Sequence, residues 1–198
     1  TAYRRQRQMC IRDRTTLLKI LLGQEMPDDG IIEISSTAKI GYLTQDTSFE
    51  DEEKTILETF IQSFDSMNQG EARNKLASML FTSDDVYKKI KVLSGGEKIR
   101  LKLCILMNQN LNLLVLDEPT NHLDLNSREV LEENLMNYSG TLLFVSHDRY
   151  FLEKMTNKIW NLENKQMEVF SGNYDEYIDR KKNAVIEETS PILRKTRK

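Results

Sequence analysis

Two adjacent carboxylates, Asp117 and Glu118, close the apolar run "LLVLDEP" and are the residues best suited to chemistry. Removing carboxylates from water is costly, so acids at the end of a buried strand call for a functional reason. Ligands bind at the carboxyl ends of strands in open α/β sheets. Asp117 could hold a Mg²⁺ ion through its waters, and Glu118 could orient or deprotonate an attacking water. The pair could alternatively cap the next helix.

A second motif, "LSGGEKIRLKL", suits phosphate binding. Ser94, Gly95 and Gly96 open a predicted helix, whose first N–H groups and positive end favour an anion. Two adjacent glycines allow close approach of the backbone to such a ligand. Taken alone, the same residues are equally typical of a turn.

His147 and Gln45 complete the set of polar residues at predicted strand ends. His147 follows the apolar run "TLLFV", as Asp117 follows "LLVL", so both could reach one phosphate. Gln45 follows "KIGYLT", where its amide could sense a metal or a water. A lone histidine at such a position is more often structural, and Gln45 by itself carries no weight.

The elements that must position these residues alternate between strands and helices, which predicts an α/β layered domain. Strands are predicted at "IIEIS", "AKIGYL", "LNLLVLD" and "TLLFV", with a hairpin around Glu163-Asn164-Lys165. Helices are predicted after Thr15, over "KTILETFIQSF", over 71–81, from "LSGGE" to Leu106, after an Asn126–Glu129 capping box, and from Arg149 to Met155. Expected core positions include Ala72, Leu76 and Leu80.

In this order along the chain, the motifs resemble those of the ATP-binding cassette (ABC) ATPases from about Thr15 to Tyr177. The resemblance implies a phosphate-loop NTPase fold, a parallel core sheet flanked by helices with a helical subdomain carrying "LSGGE". It also implies ATP and Mg²⁺ as cofactors. The roles it implies are Gln45 as Q-loop glutamine, Ser94-Gly95-Gly96-Glu97 as signature, Asp117 as Walker B aspartate, Glu118 as catalytic carboxylate, Asp124 as D-loop acid, His147 as switch histidine, Thr15 as Mg²⁺ ligand and Thr16 as its nucleotide-binding neighbour.

Three further stretches, "DEPTNHLD", "VSHDRYFL" and "FSGNYDEY", are similar to the ABC-F subfamily, which is soluble and carries two cassettes on one chain. About 48 residues separate Gln45 from "LSGGE", which favours the second cassette. The resemblance implies a partner cassette in a head-to-tail ATP sandwich. It also implies ribosome binding through rRNA and tRNA, in translation regulation or antibiotic resistance, and a cytoplasmic location without a membrane.

The stretch before Thr15 departs from the family pattern. The family has G-x-x-G-x-G-K there, whereas residues 8–14 read "QMCIRDR", without glycine and with Arg14 in place of the lysine. Bulky residues cannot readily form a phosphate-binding loop. We expect residues 1–14 to be a non-native, arginine-rich leader, so that the first strand and phosphate loop are missing. A degenerate cassette and a functional basic arm are the alternatives.

Bulk composition is that of a globular protein, with 39% hydrophobic and 30% charged residues and a net charge of −3. Nucleic-acid binding would therefore need a local basic patch. Cys10 and Cys104 make no disulfide framework, and Cys104 is expected to be a buried free thiol. We divide the chain into residues 1–14, a cassette at 15–178 with a helical subdomain at about 50–105, and a charged tail at 179–198. A transporter ATPase subunit and a non-hydrolytic module that binds RNA or a protein remain alternatives.

Overall fold

The computed structural model describes residues 15–44, 46–82, 84–163 and 166–189. The chain divides into two compact units, with the boundary between His147 and Asp148. The predicted roles of residues 1–14, Cys10 and Gln45 lie outside the described residues.

A three-stranded parallel sheet forms the centre of the first unit. Its order is β1-β2-β3, with β1 at Ile40–Leu43, β2 at Leu113–Asp117 and β3 at Thr141–Val145. Leu114, Val115 and Leu116 on the central strand are almost completely buried. Burial on both faces therefore explains the continuous apolar run of β2, as is typical of a strand in a parallel sheet.

Helices accompany this sheet and are started by side-chain caps. Thr55 with Glu58, Asn68 with Glu71, and Ser94 with Glu97 each form a capping box, in which two otherwise unpaired N–H groups are satisfied. The helices of this unit are α1 at residues 15–21, α2 at Ile56–Gln62, α3 at Gln69–Ala77, α4 at Gly95–Asn108 and α5 at Leu125–Met136, with short 3₁₀ turns at Asp85–Tyr87 and Ile90–Val92.

The helix predicted over residues 71–81 is confirmed but ends earlier than expected. Ala72 and Leu76 are fully buried, as predicted. Leu80 lies beyond the end of α3 and has a left-handed backbone with φ of 63°. It is only half-buried, because the chain has already turned away from the helical path.

Two local predictions are wrong. Residues 31–35 form no strand, and Ile31 and Ile34 are 88% and 46% exposed. A single extended segment is not a strand until another strand pairs with it, and none of the described residues does so here. Helix α5 begins at Leu125 rather than after Asn126, because the Asp124 carboxylate accepts the Ser127 N–H at 2.7 Å and caps the helix there.

The second unit contains α6 at Arg149–Met155, a hairpin of β4 at Lys158–Glu163 and β5 at Gln166–Ser171, and α7 at Tyr174–Thr189. The predicted α6 and both hairpin strands are confirmed, while residues 164 and 165 lie outside the described residues. Helix α7 packs on the hairpin through the Phe170 and Tyr177 rings, whose centroids lie 5.7 Å apart. None of the described helices is both long enough and apolar enough to span a bilayer.

Candidate functional site

The first site residues, Thr15 and Asp117, meet although 102 positions separate them in the sequence. Thr15 is the first described residue of α1, and its hydroxyl Oγ1 donates to Asp117 Oδ2 at 3.1 Å. Asp117 closes β2 and is only 3% exposed. The neighbouring Thr16 is exposed. A hydroxyl and a carboxylate therefore stand together at the carboxyl edge of the sheet.

Glu118 lies one residue further on and is held between the ends of two strands. Its N–H donates to the Val145 carbonyl at 2.9 Å, which extends the β2–β3 ladder by one bond. Its φ of 53° is a conformation that residues with a side chain seldom adopt. Such strained backbones occur most often at functional sites, where the surrounding structure maintains them.

His147 contacts the Glu118 carboxylate twice. Its backbone N–H donates to Glu118 Oε2 at 3.2 Å, and its ring atom Nε2 lies 3.3 Å from Oε1. The Glu118 side chain is 5% exposed, whereas that of His147 is 51% exposed. The pair therefore consists of a buried carboxylate and an imidazole that is accessible from solvent.

The register of the sheet explains why these residues meet. Asp117 on β2 is opposite Val145 on β3, so the residues following each strand emerge at the same edge. Glu118 follows directly, and His147 follows after the buried Ser146. Parallel pairing thus brings together two segments 29 positions apart in sequence.

The chemistry of this edge suits a hard cation such as Mg²⁺, which binds oxygen atoms and retains several waters. Thr15 and Asp117 supply one hydroxyl and one carboxylate at the required separation for shared coordination. Among the described residues, no three His, Cys, Asp or Glu side chains form a cluster that could hold a metal. The two oxygen donors therefore fit an ion whose other ligands come from water or a bound anion.

The start of α4 forms a second group. Ser94 caps this 14-residue helix, and Glu97 Oε2 accepts both the Ser94 N–H and its hydroxyl at 2.8 Å. Ser94 and Gly95 are exposed, and no atom lies within 4 Å of the position of a Gly95 Cβ. The exposed start of α4 therefore has room for an anion, which the N-terminus of a helix would stabilise.

Gly96 fixes this helix start against the loop that precedes α5. A Cβ on Gly96 would lie 2.7 Å from the His122 carbonyl oxygen, so only glycine permits the observed approach. At the end of the same loop, Asp124 caps α5, and the hydrogen bond from the Ser127 N–H is the main cause that lowers the pKa of Asp124. Ser94-Gly95-Gly96-Glu97 and Asp124 thus belong to two directly adjoining helix starts.

The comparison with protein families decides which fold this is. The family described as ABC transporter matches residues 14–121, more than half of the chain, and covers α4, β2 and both groups of residues except Asp124 and His147. The chain belongs to the ABC transporter family. It is an ATP-binding cassette domain, with the parallel sheet and flanking helices of the ABC cassette fold.

Curated relatives extend the match. YdiF of Bacillus subtilis (strain 168) is 44% identical over 168 residues, 85% of this chain and 26% of that protein. The ribosome protection protein VmlR of the same organism is 46% identical over 155 residues, 78% of this chain and 28% of that protein. ABC transporter F family member 5 of Arabidopsis thaliana is 36% identical over 173 residues, 86% of this chain and 25% of that protein. The cassette therefore spans about a quarter to a third of the length of these relatives.

A solved structure supports the fold. An ABC transporter in an inward-facing conformation superposes with a TM-score of 0.62 at 21% sequence identity, covering 80% of this chain and 68% of the other. At this identity the likeness concerns the fold alone.

Sequence analysis missed two residues of this cassette. Arg100 lies one helical turn after Gly96, is 8% exposed and is the buried cation of α4. In the sequence, the position of this charged residue among the apolar residues of "KIRLKLCIL" was the signal that could have predicted its burial. Tyr42 lies on β1, and burial followed by the negative charge of Asp117 raises the pKa of its hydroxyl. No spacing rule links Tyr42 to Asp117, because the sheet alone makes them neighbours.

Proposed function

We propose that this cassette binds and hydrolyses ATP as part of an ABC-F protein that acts on the ribosome. The observation that carries the proposal is the arrangement at the sheet edge, where Glu118 is buried against His147 beside the Thr15–Asp117 pair. A carboxylate that can accept a proton from water, a histidine that can contact a phosphate and two oxygen donors for a cation are the parts that phosphoryl transfer to water needs.

Thr15 and Asp117 would hold Mg²⁺ together. When bound, Mg²⁺ neutralises charge on the phosphate oxygens. Asp117 is buried and accepts the Thr15 hydroxyl, a bond that fixes the orientation of its carboxylate. Gln45, which follows "KIGYLT" in the sequence, and Thr16 beside Thr15 complete the proposed contacts with the metal and nucleotide.

Glu118 and His147 would handle the attacking water. Glu118 accepts the proton of that water through the carboxylate that His147 now contacts on both oxygens. His147 is half exposed at the mouth of the site and would contact the terminal phosphate.

The α4 start would act on a nucleotide held by a second cassette. Ser94 and Gly95 are exposed, and the Ser94 N–H and hydroxyl both donate to Glu97, which together with Gly96 holds the helix start in place. Head-to-tail pairing would bring these groups and Asp124 onto the partner's ATP. Closure would exclude water and strengthen each contact.

The ABC-F assignment is supported by the relatives named ABC transporter F family and ribosome protection protein, and by "DEPTNHLD" and "FSGNYDEY". We place this chain as the second cassette of such a protein, in the cytoplasm, with rRNA and tRNA as contacts and with translation or antibiotic resistance as its setting. Binding through an RNA backbone weakens as salt rises, because counterions are released.

Ribosome cosedimentation tests this assignment. In the full-length protein that carries this cassette, Glu118→Gln should stop turnover and leave the ATP-bound protein pelleting with ribosomes. Pelleting should need ATP and should decrease with added salt. Pelleting that is equal with and without ATP, or that occurs only with membranes, would contradict the proposal and favour a transporter subunit.

A second, non-hydrolytic function is proposed for residues 1–198 by themselves. The stretch "QMCIRDR" provides no glycine for a phosphate loop, and Asp13 adds a negative charge that repels phosphate. We therefore propose that residues 1–198 have negligible affinity for ATP by themselves and could act only as a binding module. Titration calorimetry tests this, and ATP binding at millimolar concentration or below would contradict it.

A further inference from the structure

One face of α4 carries two residues that link separate parts of the first unit. Gly96 and Arg100 are four positions apart, so they lie one above the other on the helix. Gly96 is in contact with the loop before α5, as the 2.7 Å separation from the His122 carbonyl shows. Arg100 is 8% exposed, which is unusual for a residue with a permanent charge.

The buried guanidinium of Arg100 is held by the segment after α3. Its Nη1 donates to the Met79 carbonyl at 2.7 Å, and its Cζ lies 4.9 Å from the centre of the Phe81 ring. Met79 and Phe81 are themselves 1% and 2% exposed. Leu80 between them has a φ of 63°, which turns the chain at the end of α3. This turn lies directly after Met79, whose buried carbonyl accepts the hydrogen bond from Arg100.

The same segment is also held from α5. Asn134 Nδ2 donates to the Ser78 carbonyl at 3.0 Å. Helix α5 begins at the Asp124 cap, and the positive charge of Arg100 is among the causes that lower the pKa of Asp124, after its bonds with Ser127. Residues 78–81 are thus attached to both helices whose starts carry the candidate signature and D-loop residues.

We propose that Arg100 is a positioning residue that holds the start of α4, the loop at residues 120–124 and residues 78–81 in one fixed arrangement. With this arrangement fixed, Ser94, Gly95 and Asp124 would contact the nucleotide of a partner cassette at the same time. This effect on ATP hydrolysis rests on the proposed function. Arg100 contacts no nucleotide itself.

The planar guanidinium is what makes this link possible. A buried cation is tolerated only when it is bonded, and Arg100 uses one nitrogen for Met79 and its face for Phe81. A lysine would keep the charge near Asp124 but lose the flat contact with Phe81. A methionine would fill similar space and remove both the charge and the hydrogen bond.

Arg100→Met and Arg100→Lys in residues 1–198 test the proposal without ATP. Amide exchange is measured at Leu123 and Ser127, whose N–H groups bond to Thr120 and Asp124. The Asp124 carboxyl is titrated by NMR. The matched control is Arg73→Met on α3, which removes an exposed arginine that also lies over an aromatic ring, that of Tyr87, at 5.3 Å.

Arg100→Met should speed exchange at Leu123 and Ser127 by about tenfold, because losing a charged hydrogen bond releases the attached loop. It should also raise the pKa of Asp124. Arg100→Lys should speed exchange less and leave the pKa of Asp124 low, and Arg73→Met should change neither. If Arg100→Met does not fold, Arg100→Lys with faster exchange at Ser127 still supports the proposal.

Unchanged exchange at Leu123 and Ser127 in both Arg100 variants, together with an unchanged Asp124 pKa, would overturn the inference. In the full-length protein, Arg100→Lys should lower kcat for ATP by about tenfold and leave KM nearly constant, since it leaves the nucleotide contacts of its own cassette untouched. If amide exchange in the Arg100 variants changes as predicted but the parent protein does not turn over ATP, the positioning role is supported and the ATPase proposal is refuted.

Discussion

The hydroxyl of Thr15 donates to Asp117 across 102 positions of sequence, at an Oγ1–Oδ2 distance of 3.1 Å. This contact joins the helix at residues 15–21 to the end of the central strand. It places two oxygen donors side by side at the carboxyl edge of the sheet.

Removing that hydroxyl should weaken metal-dependent binding of ATP. In the full-length protein, Mg²⁺ should increase the affinity for ATP, and Thr15→Val should reduce this increase by about tenfold. The reason is that one oxygen donor is lost while the shape of the side chain is kept. Thr15→Ser retains the hydroxyl and should behave as the parent does. Calorimetric titration with and without Mg²⁺ measures the gain, and an equal gain for Val and Ser would remove Thr15 from the metal site.

Adding one methyl group at Gly96 should destabilise the protein. Gly96→Ala places a Cβ 2.7 Å from the His122 carbonyl, and the resulting shift of backbone should cost about 1–3 kcal/mol in the free energy of unfolding. Gly95→Ala is the matched control, since its Cβ meets nothing within 4 Å and alanine favours the helix. Urea unfolding of both variants measures the difference, and equal stability would contradict the close contact.

The Asp124 cap should make stability depend on pH. Its folded pKa is lowered, chiefly by the Ser127 N–H, so the ionised carboxylate contributes stability above the ordinary aspartate pKa. That contribution is lost as the pH falls through the lowered value. Asp124→Ala should therefore destabilise the fold near pH 7, with a smaller effect at about pH 3. Asp124→Asn should keep the cap and lose only the pH dependence, and a pH-independent effect of Asp124→Ala would contradict this account.

Cys104 should resist alkylation in the folded protein. It is a buried free thiol, as the sequence predicts, and burial raises its pKa to about 12. Since the thiolate is the reactive form, little is available near pH 8. In a Cys10→Ser background, iodoacetamide labelling followed by mass spectrometry should find Cys104 unmodified in buffer and modified in urea. Rapid labelling in buffer would show that this thiol is accessible.

Sequence patterns predicted the alternating elements well where the periodicity was strong. β2, α2 and α6 have the expected positions because apolar spacing alone specifies the buried face. The strand expected at residues 31–35 is wrong because pairing requires a second strand, which a local pattern does not reveal. Helix α5 begins earlier than predicted because Asp124 and Asn126 are both good caps, and only the three-dimensional position of Ser127 decides between them.

The site was predictable in its residue types and only partly in its contacts. Strand-end motifs predicted Asp117, Glu118 and His147 as candidates, while the direct contact between Glu118 and His147 follows from parallel pairing and emerged only from the structure. The link between Gly96 and His122, and the burial of Arg100, depend on how two helices pack. Sequence spacing contains no such information, so these residues emerged only from the structure.

The Glu118 carboxylate is proposed to be the general base that accepts the proton of the attacking water. Steady-state ATP turnover of Glu118→Gln in the full-length protein, compared with the parent at saturating ATP and Mg²⁺, tests it. The predicted result is a fall in kcat of about a hundredfold or more with ATP still bound, because a general base contributes on that scale. Thermal unfolding of the variant provides the control for folding. Turnover equal to that of the parent would contradict the proposed function.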